Sequence, residues 1–252
     1  MRLRTCVAST LLSLALAGRA WAGTPAADCP NLSNPDRAIE ACTTLNASKN
    51  LARRTRAMAL SNRCGAYTIK GMADKAVADC DRAIRMAPGL AIASYNRGRA
   101  YRAKDDLPRA IADYSAAIRA FNNRGEAYAR QGAAERALAD FDQALRLGPG
   151  YAKALYNRGV THARRGELDR AIAEYTRAIE ADRTLARAFN ARGQALLRKQ
   201  ETAPAIADFT EALQLDKNNA SARRNLERAT ASASAGVPGA STELAQEQFE
   251  AE

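Results

Sequence analysis

The residues of this 252-residue chain that could do chemistry are few, and their spacing already limits what the chemistry can be. Of the five cysteines Cys6 lies in the N-terminal apolar stretch, and beyond it Cys29, Cys42, Cys64 and Cys80 form an even set that allows three disulfide pairings. None sits in a Cys-x-x-Cys motif, so thiol redox catalysis has no sequence support. His162 is the only histidine, which argues against a zinc site and against any His-dependent catalytic constellation. The acid pairs Asp105-Asp106 and Asp140/Asp142 fall at a helix start or on a recurring helix face, where carboxylates serve helix dipoles and neighbouring cations. A Gly-rich phosphate loop, Gly-x-Ser-x-Gly and His-Glu-x-x-His are all missing. The expectation is a non-enzymatic chain with no catalytic residues, metal or cofactor.

Arginine gives a clearer pattern. Arg63, Arg97, Arg124, Arg158 and Arg192 are each followed sixteen residues later by an acid: Asp79, Asp113, Asp140, Glu174 and Asp208. A planar guanidinium pairs bidentately with a carboxylate, so this spacing predicts a ladder of structural ion pairs.

The elements that must carry these residues are repeated. Asn96-Arg-Gly-Arg-Ala-Tyr101, Asn123-Arg-Gly-Glu-Ala-Tyr128 and Asn157-Arg-Gly-Val-Thr-His162 align. So do Arg109-Ala-Ile-Ala-Asp-Tyr114, Arg136-Ala-Leu-Ala-Asp-Phe141 and Arg170-Ala-Ile-Ala-Glu-Tyr175. The small residues Cys64, Gly98, Gly125, Gly159 and Gly193 are spaced 34, 27, 34 and 34 apart. Apolar residues three and four apart make both segments amphipathic helices, with Gly-containing joints between them. A period of 34 marks a helical solenoid.

This pattern resembles the tetratricopeptide repeat (TPR), a helix-turn-helix unit. The resemblance implies an all-α, right-handed solenoid of antiparallel helix pairs. Five repeats are expected within residues 57–217, near 57–90, 91–117, 118–151, 152–185 and 186–217, flanked by capping helices to give about twelve helices. In the family, Gly98, Gly159 and Gly193 allow close helix contact, and Tyr114, Phe141, Tyr175 and Phe209 fill the aromatic position of the second helix. The first repeat departs, with Cys64 for glycine and Cys80 for the aromatic. Those two cysteines face each other in one hairpin and either bridge or pack as small apolar groups. Cys29, in an N-terminal arm, is expected to bridge to Cys42 on a degenerate capping helix within residues 23–56. Seven residues are missing between Gly98 and Gly125, so either one helix runs through Arg109 to Arg130 or two helices shorten around a turn.

The ends differ in composition. Residues 1–22 read as a signal peptide, with Arg2 and Arg4 before an apolar stretch and Ala20-Trp21-Ala22 as the cleavage signal. That stretch is shorter than a membrane span needs, so no stable membrane insertion is expected after cleavage, and the product is placed in a bacterial periplasm or outside the cell. Residues 218–230 read as a polar capping helix. Residues 231–252, with Glu243, Glu247, Glu250 and Glu252, read as a flexible acidic tail that could compete for the chain's own basic surface.

The net charge is +11 for the whole chain, and the tail opposes it. In TPR proteins the first helices line a concave groove that holds a peptide or partner helix. Carried over by position, the groove set here is Tyr95, Arg99, Arg102, Asn122, Glu126, Arg130, Lys153, Tyr156, Arg164, Arg187, Asn190 and Arg198. Such residues pair with carboxylates, bond peptide backbone and stack on side chains. The resemblance therefore implies a protein-interaction scaffold binding an extended or helical, acidic segment. An envelope polyanion binder is the alternative. Sparse aromatic interleaving argues against a specific nucleic-acid partner. Nothing in the sequence sets the oligomeric state.

Overall fold

The computed structural model describes residues 24–234; the segment read as a signal peptide and the acidic segment beyond Ser234 lie outside them. Twelve helices and no strand occur among the described residues. In order they are α1 (Pro25–Asp28), α2 (Pro35–Ala47), α3 (Arg53–Ile69), α4 (Ala73–Met86), α5 (Ala91–Ala103), α6 (Leu107–Arg130), α7 (Ala134–Leu147), α8 (Ala152–Arg164), α9 (Leu168–Ala181), α10 (Ala186–Arg198), α11 (Thr202–Leu215) and α12 (Ala220–Ser234). The expected number is reached by a different route. One helix is lost by fusion in α6, and one is gained in the short α1.

The helices group into two compact units, residues up to Ala120 and residues from Phe121 onward. In the first unit α1 packs on α2, α2 on α3, and α3 forms a hairpin with α4 that α5 covers. In the second unit the pairs α8–α9 and α10–α11 stack, with α7 on one side and α12 on the other. At the seven-residue deletion the single-helix alternative holds: α6 is 24 residues long, about 36 Å, and serves as second helix of one repeat and first helix of the next. Its physical cause is the missing turn. Other joints carry Ala87-Pro88-Gly89 or Gly148-Pro149-Gly150, whereas Ala116 to Ala120 offers only helix formers. Likewise α12 continues four residues past 230, because Ala231-Ser-Ala-Ser234 contains no helix breaker.

Within each hairpin the turn needs one residue in the left-handed region. Gly71, Gly132 and Gly166 supply it with φ of 72°, 74° and 77°, and Asp105 and Gln200 hold it at 59° and 64°. The hairpin then closes on a glycine sixteen residues before a ring. A Cβ placed on Gly159 would stand 2.6 Å from Tyr175 Cε1, and one on Gly193 would stand 2.6 Å from Phe209 Cε1. Gly125 meets Phe141 at 2.7 Å and Gly98 meets Tyr114 at 3.0 Å in the same way. Phe141, Tyr175 and Phe209 are fully buried, so these rings are the centre of each hairpin core. Small alanines surround them: Ala163, Ala171, Ala191 and Ala195 enclose Tyr175.

The first hairpin replaces this contact with a covalent one. Cys64 and Cys80 hold the glycine and ring positions and are bridged, their Cα atoms 5.6 Å apart. Cys29 and Cys42 are also bridged, with Cα atoms 4.7 Å apart. All four cysteines are buried.

Two outcomes follow from this packing. Gly159→Ala should lower unfolding stability by about 2 kcal/mol, the cost of overpacking a filled core, whereas Gly89→Ala, facing open space, should change it by less than about 0.5 kcal/mol. Urea titration measures both. Under reducing conditions the Cys64→Gly, Cys80→Phe double variant should unfold at higher urea than the parent chain, since the ring contact then replaces a broken bridge; equal midpoints would show that the two devices are not equivalent.

Candidate functional site

Most arginines are committed to the fold. Arg63 Nε and Nη2 donate to Asp79 at 2.6 and 2.9 Å, and Arg97, Arg124 and Arg192 grip Asp113, Asp140 and Asp208 with the same two nitrogens at 2.6–2.8 Å. Those carboxylate bonds raise the pKa of all four guanidinium groups above the ordinary arginine value, so they stay charged although half-buried. Arg158 differs because its partner is Glu174, one methylene longer. Its Nη2 alone reaches both carboxylate oxygens at 2.8 Å, and Nε is left buried without a partner. A second arm was not foreseen: Nη1 of Arg63, Arg97, Arg158 and Arg192 donates to Thr43, Asp81, Asp142 and Thr176 on the preceding second helix. Each of these arginines therefore ties a first helix to two second helices.

A further ladder joins helix ends. Lys70 meets Asp36, Lys104 meets Asp74 at 2.5 Å, Arg165 meets Glu135 at 2.8 Å and Lys199 meets Asp169 at 2.6 Å. Each acid lies in the first turn of a second helix and each base at the end of a first helix, so both also suit the helix dipoles. The acids are mostly exposed, and such pairs contribute little individually.

Two members of the expected groove set prove to be structural. Asn122 and Asn190 are buried between successive first helices rather than presented on them, at 3% and 8% exposure. Asn157 Nδ2 donates to Asn122 Oδ1 at 3.0 Å, and Asn225 Nδ2 donates to Asn190 Oδ1 at 3.0 Å. Asn96 Nδ2 likewise donates to the Ser61 carbonyl at 2.9 Å. A buried amide left without a partner is costly, which explains why the polar residues come in pairs. The constant separation of 35 between these partners was the available signal.

The remaining set distributes unevenly. In the second unit Arg130, Lys153, Arg164 and Arg187 are exposed and Arg198 is half-buried, at matching positions near the starts and ends of first helices. Arg187 lies 4.6 Å over the Tyr156 ring, Arg198 Nη1 donates to the Ala163 carbonyl at 3.2 Å, and Arg130 pairs with Glu126 at 2.6 Å on its own helix. In the first unit Arg102 is exposed, and Arg99 stands 6.0 Å over the half-buried Tyr95. There the positions matching Lys153 and Arg164 hold Met58, Ile92 and Ile69, which are 46%, 36% and 46% exposed. At these positions the first unit offers apolar side chains where the second offers cations.

The N-terminal arm covers part of that unit. Leu32 places Cδ1 3.3 Å from where a Gly65 Cβ would stand, and Asn62 Nδ2 lies 3.8 Å from Cys29 Sγ. Gly65 matches Arg99, Glu126, Val160 and Gln194 in later repeats, so the arm lies on the side where the groove set points. The lone small residue in that column marks the spot.

His162 has a structural setting. Its Nδ1 lies 2.7 Å from Glu167 Oε2, and this contact holds the Glu167 carboxyl below the usual range. A cleft of about 380 Å³ opens beside it, lined by Asp142, Arg158, Arg170 and Glu174, whose charges largely compensate one another. Among the described residues no group of three His, Cys, Asp or Glu could hold a metal ion, and no helix is long and apolar enough to cross a membrane.

The Arg158 geometry yields a stability test. Glu174→Asp should let Nε and Nη2 share the carboxylate as in the other hairpins and raise unfolding stability by about 1 kcal/mol, while Asp208→Glu should lower it by a similar amount. Paired urea titrations would check both signs.

Comparison with known proteins agrees with this architecture. The tetratricopeptide repeat family profile matches residues 70–124 and 122–186, and a second profile of the same description matches 186–219. The matches begin after Cys64, where the first hairpin departs from the glycine pattern. No curated protein matches the sequence. Among solved structures the chain is similar to YrrB, described as a TPR protein with an unusual peptide-binding site (22% identity over 68% of this chain and 92% of that one, TM-score 0.42). It is also similar to the second TPR domain of human RPAP3 in complex with an HSP70 peptide (24% identity, 44% and 92% covered, TM-score 0.42). MamA is a third (23% identity, 62% and 96% covered, TM-score 0.41). With its paired amphipathic helices, its glycine–ring contacts and profile matches running from residue 70 to residue 219, the chain belongs to the tetratricopeptide repeat family.

Proposed function

We propose that this protein is a non-enzymatic interaction scaffold whose first-helix faces bind an extended or helical partner segment of acidic character. Membership in a repeat family of interaction scaffolds supports the class. The observation that carries the acidic preference is the second unit's set of Arg130, Lys153, Arg187 and Arg198, which stay outside both structural ladders while the ladder arginines are spent on carboxylates of the fold. The exposed Met58, Ile69 and Ile92 favour apolar residues in the segment that meets the first unit. Two buried disulfides suit an oxidising compartment, and with the apolar N-terminal stretch they support a periplasmic or secreted setting.

The test is fluorescence anisotropy with a labelled decapeptide of alternating Glu and Ala, at two salt concentrations. Arg130→Glu combined with Arg164→Glu should weaken binding at least about tenfold, because two cations become like charges to the ligand. Peptide binding that survives raised salt supports the scaffold. Loss of binding with salt, together with equal competition by inorganic polyphosphate, would favour the polyanion reading instead.

A further inference from the structure

The ring position of the second helices alternates between two residue types, and its neighbour on the first helix alternates with it. Phe141 and Phe209 are accompanied nineteen residues earlier by Asn122 and Asn190; Tyr114 and Tyr175 are accompanied by Tyr95 and Tyr156. The Phe version is wholly structural, since its asparagine is buried and bonded to the next first helix. The Tyr version adds a tilted ring pair with centroids 5.9 Å apart, once in each unit.

In the second unit the fold does not use the added hydroxyl. Phe141 and Phe209 fill the glycine contact as closely as Tyr175 does. Tyr175 Oη is buried with no hydrogen-bond partner, one of three such side-chain atoms among the described residues. The other two, Arg56 Nε and Arg158 Nε, belong to guanidinium groups that bond through their remaining nitrogens. Tyr175 has no second polar atom. Burial pushes its phenol pKa up, so it stays protonated and is a donor, and the cations that act on it are Arg164 and Arg198 from two successive first helices. Around Tyr114, which is half-buried, the cations are Arg102 and Arg99; Asp113 nearby is gripped by Arg97.

We infer that each tyrosine pair with its two arginines is an anchor for one carboxylate side chain of the partner, the second-helix phenol donating to a carboxylate that the arginines draw in. The inference rests on the proposed acidic-segment reading and assigns its contacts. Tyr114 is half-buried, in contrast to the full burial of Tyr175. At Tyr175 the carboxylate replaces the Ala163 carbonyl as partner of Arg198, and the displaced side chain opens the way to Oη. Phe141 and Phe209 fill the same position without a hydroxyl, which is what separates the anchors from the ladders.

The experiment compares the full chain with its Tyr175→Phe and Tyr114→Phe variants, measuring affinity for the Glu/Ala decapeptide and thermal stability in parallel. A Gln/Ala decapeptide serves as the uncharged control. Each variant should bind the Glu peptide about tenfold more weakly, the loss of one hydrogen bond to a charged group, and the Gln peptide no differently from the parent. The melting midpoint of Tyr175→Phe should be unchanged or higher, since an unpartnered buried hydroxyl is removed. A lower midpoint with unchanged affinity would mean that the hydroxyl serves the fold, through a buried water, and would overturn the inference. If arginine reversal weakens binding but neither phenylalanine variant does, the anchor fails and the acidic-segment reading stands. If the parent chain does not bind the Glu peptide, both fall.

Discussion

Two contacts close every hairpin, each between partners sixteen residues apart, and they sit side by side in the sequence. One is the arginine fork onto a carboxylate; the next residue along each helix brings a glycine under a ring, or in the first hairpin a cysteine onto a cysteine. The glycine contact is steric and lets the helix axes approach until the ring fills the gap, whereas the fork is directional and fixes rotation about those axes. Neither alone would define the register, because apolar burial tolerates sliding and an ion pair tolerates distance. Together they leave one solution, and the Nη1 arm of Arg63, Arg97, Arg158 and Arg192 passes that solution to the preceding second helix. A solenoid built from nearest-neighbour contacts needs such a device in every repeat, since no distant contact can correct an error.

This arrangement also divides the charge. A strongly basic composition invites the reading that the whole surface attracts anions, yet the most regular arginines have one or two carboxylate or hydroxyl partners each. Their charge is used to hold buried acids, and removing one partner would strand the other in a poorly solvated site. What stays outside the ladders is a smaller set near the starts and ends of first helices, mostly in the second unit. The first unit is different in kind, with apolar side chains and a disulfide-held arm on the corresponding side of α3.

Much of this was legible from the chain. The period, the helix pairs, the five Arg–acid partners and the facing positions of Cys64 and Cys80 are all one-dimensional patterns that survive folding unchanged. What escaped were properties of side-chain reach and cover. The column of Asn122 and Asn190 also holds Tyr95 and Tyr156, and one column cannot tell a long ring that stands out from a short amide that stays in. The one-methylene difference at Glu174 was visible, but its effect on Arg158 Nε depends on where a fork must sit. The path through the shortened repeat was open between two forms because seven residues equal about two helical turns, which both forms accommodate.

The exchange of glycine and ring for a cysteine pair in the first hairpin has a historical side. Starting from the common form, a cysteine in place of the glycine would drive its side chain into the ring, as the 2.6–3.0 Å approaches in the other hairpins show. Starting from the other member, a cysteine in place of the ring would leave a cavity facing a bare glycine, and large-to-small changes in a core are costly. Either order passes through an ancestor less stable than its parent, until the second cysteine restores the closure by a bond that forms only where thiols are oxidised. The present first repeat is therefore separated from its siblings by a valley rather than a slope. A reducing medium would break the bond and leave that hairpin with two small buried side chains, holding neither the ring nor the glycine of its neighbours.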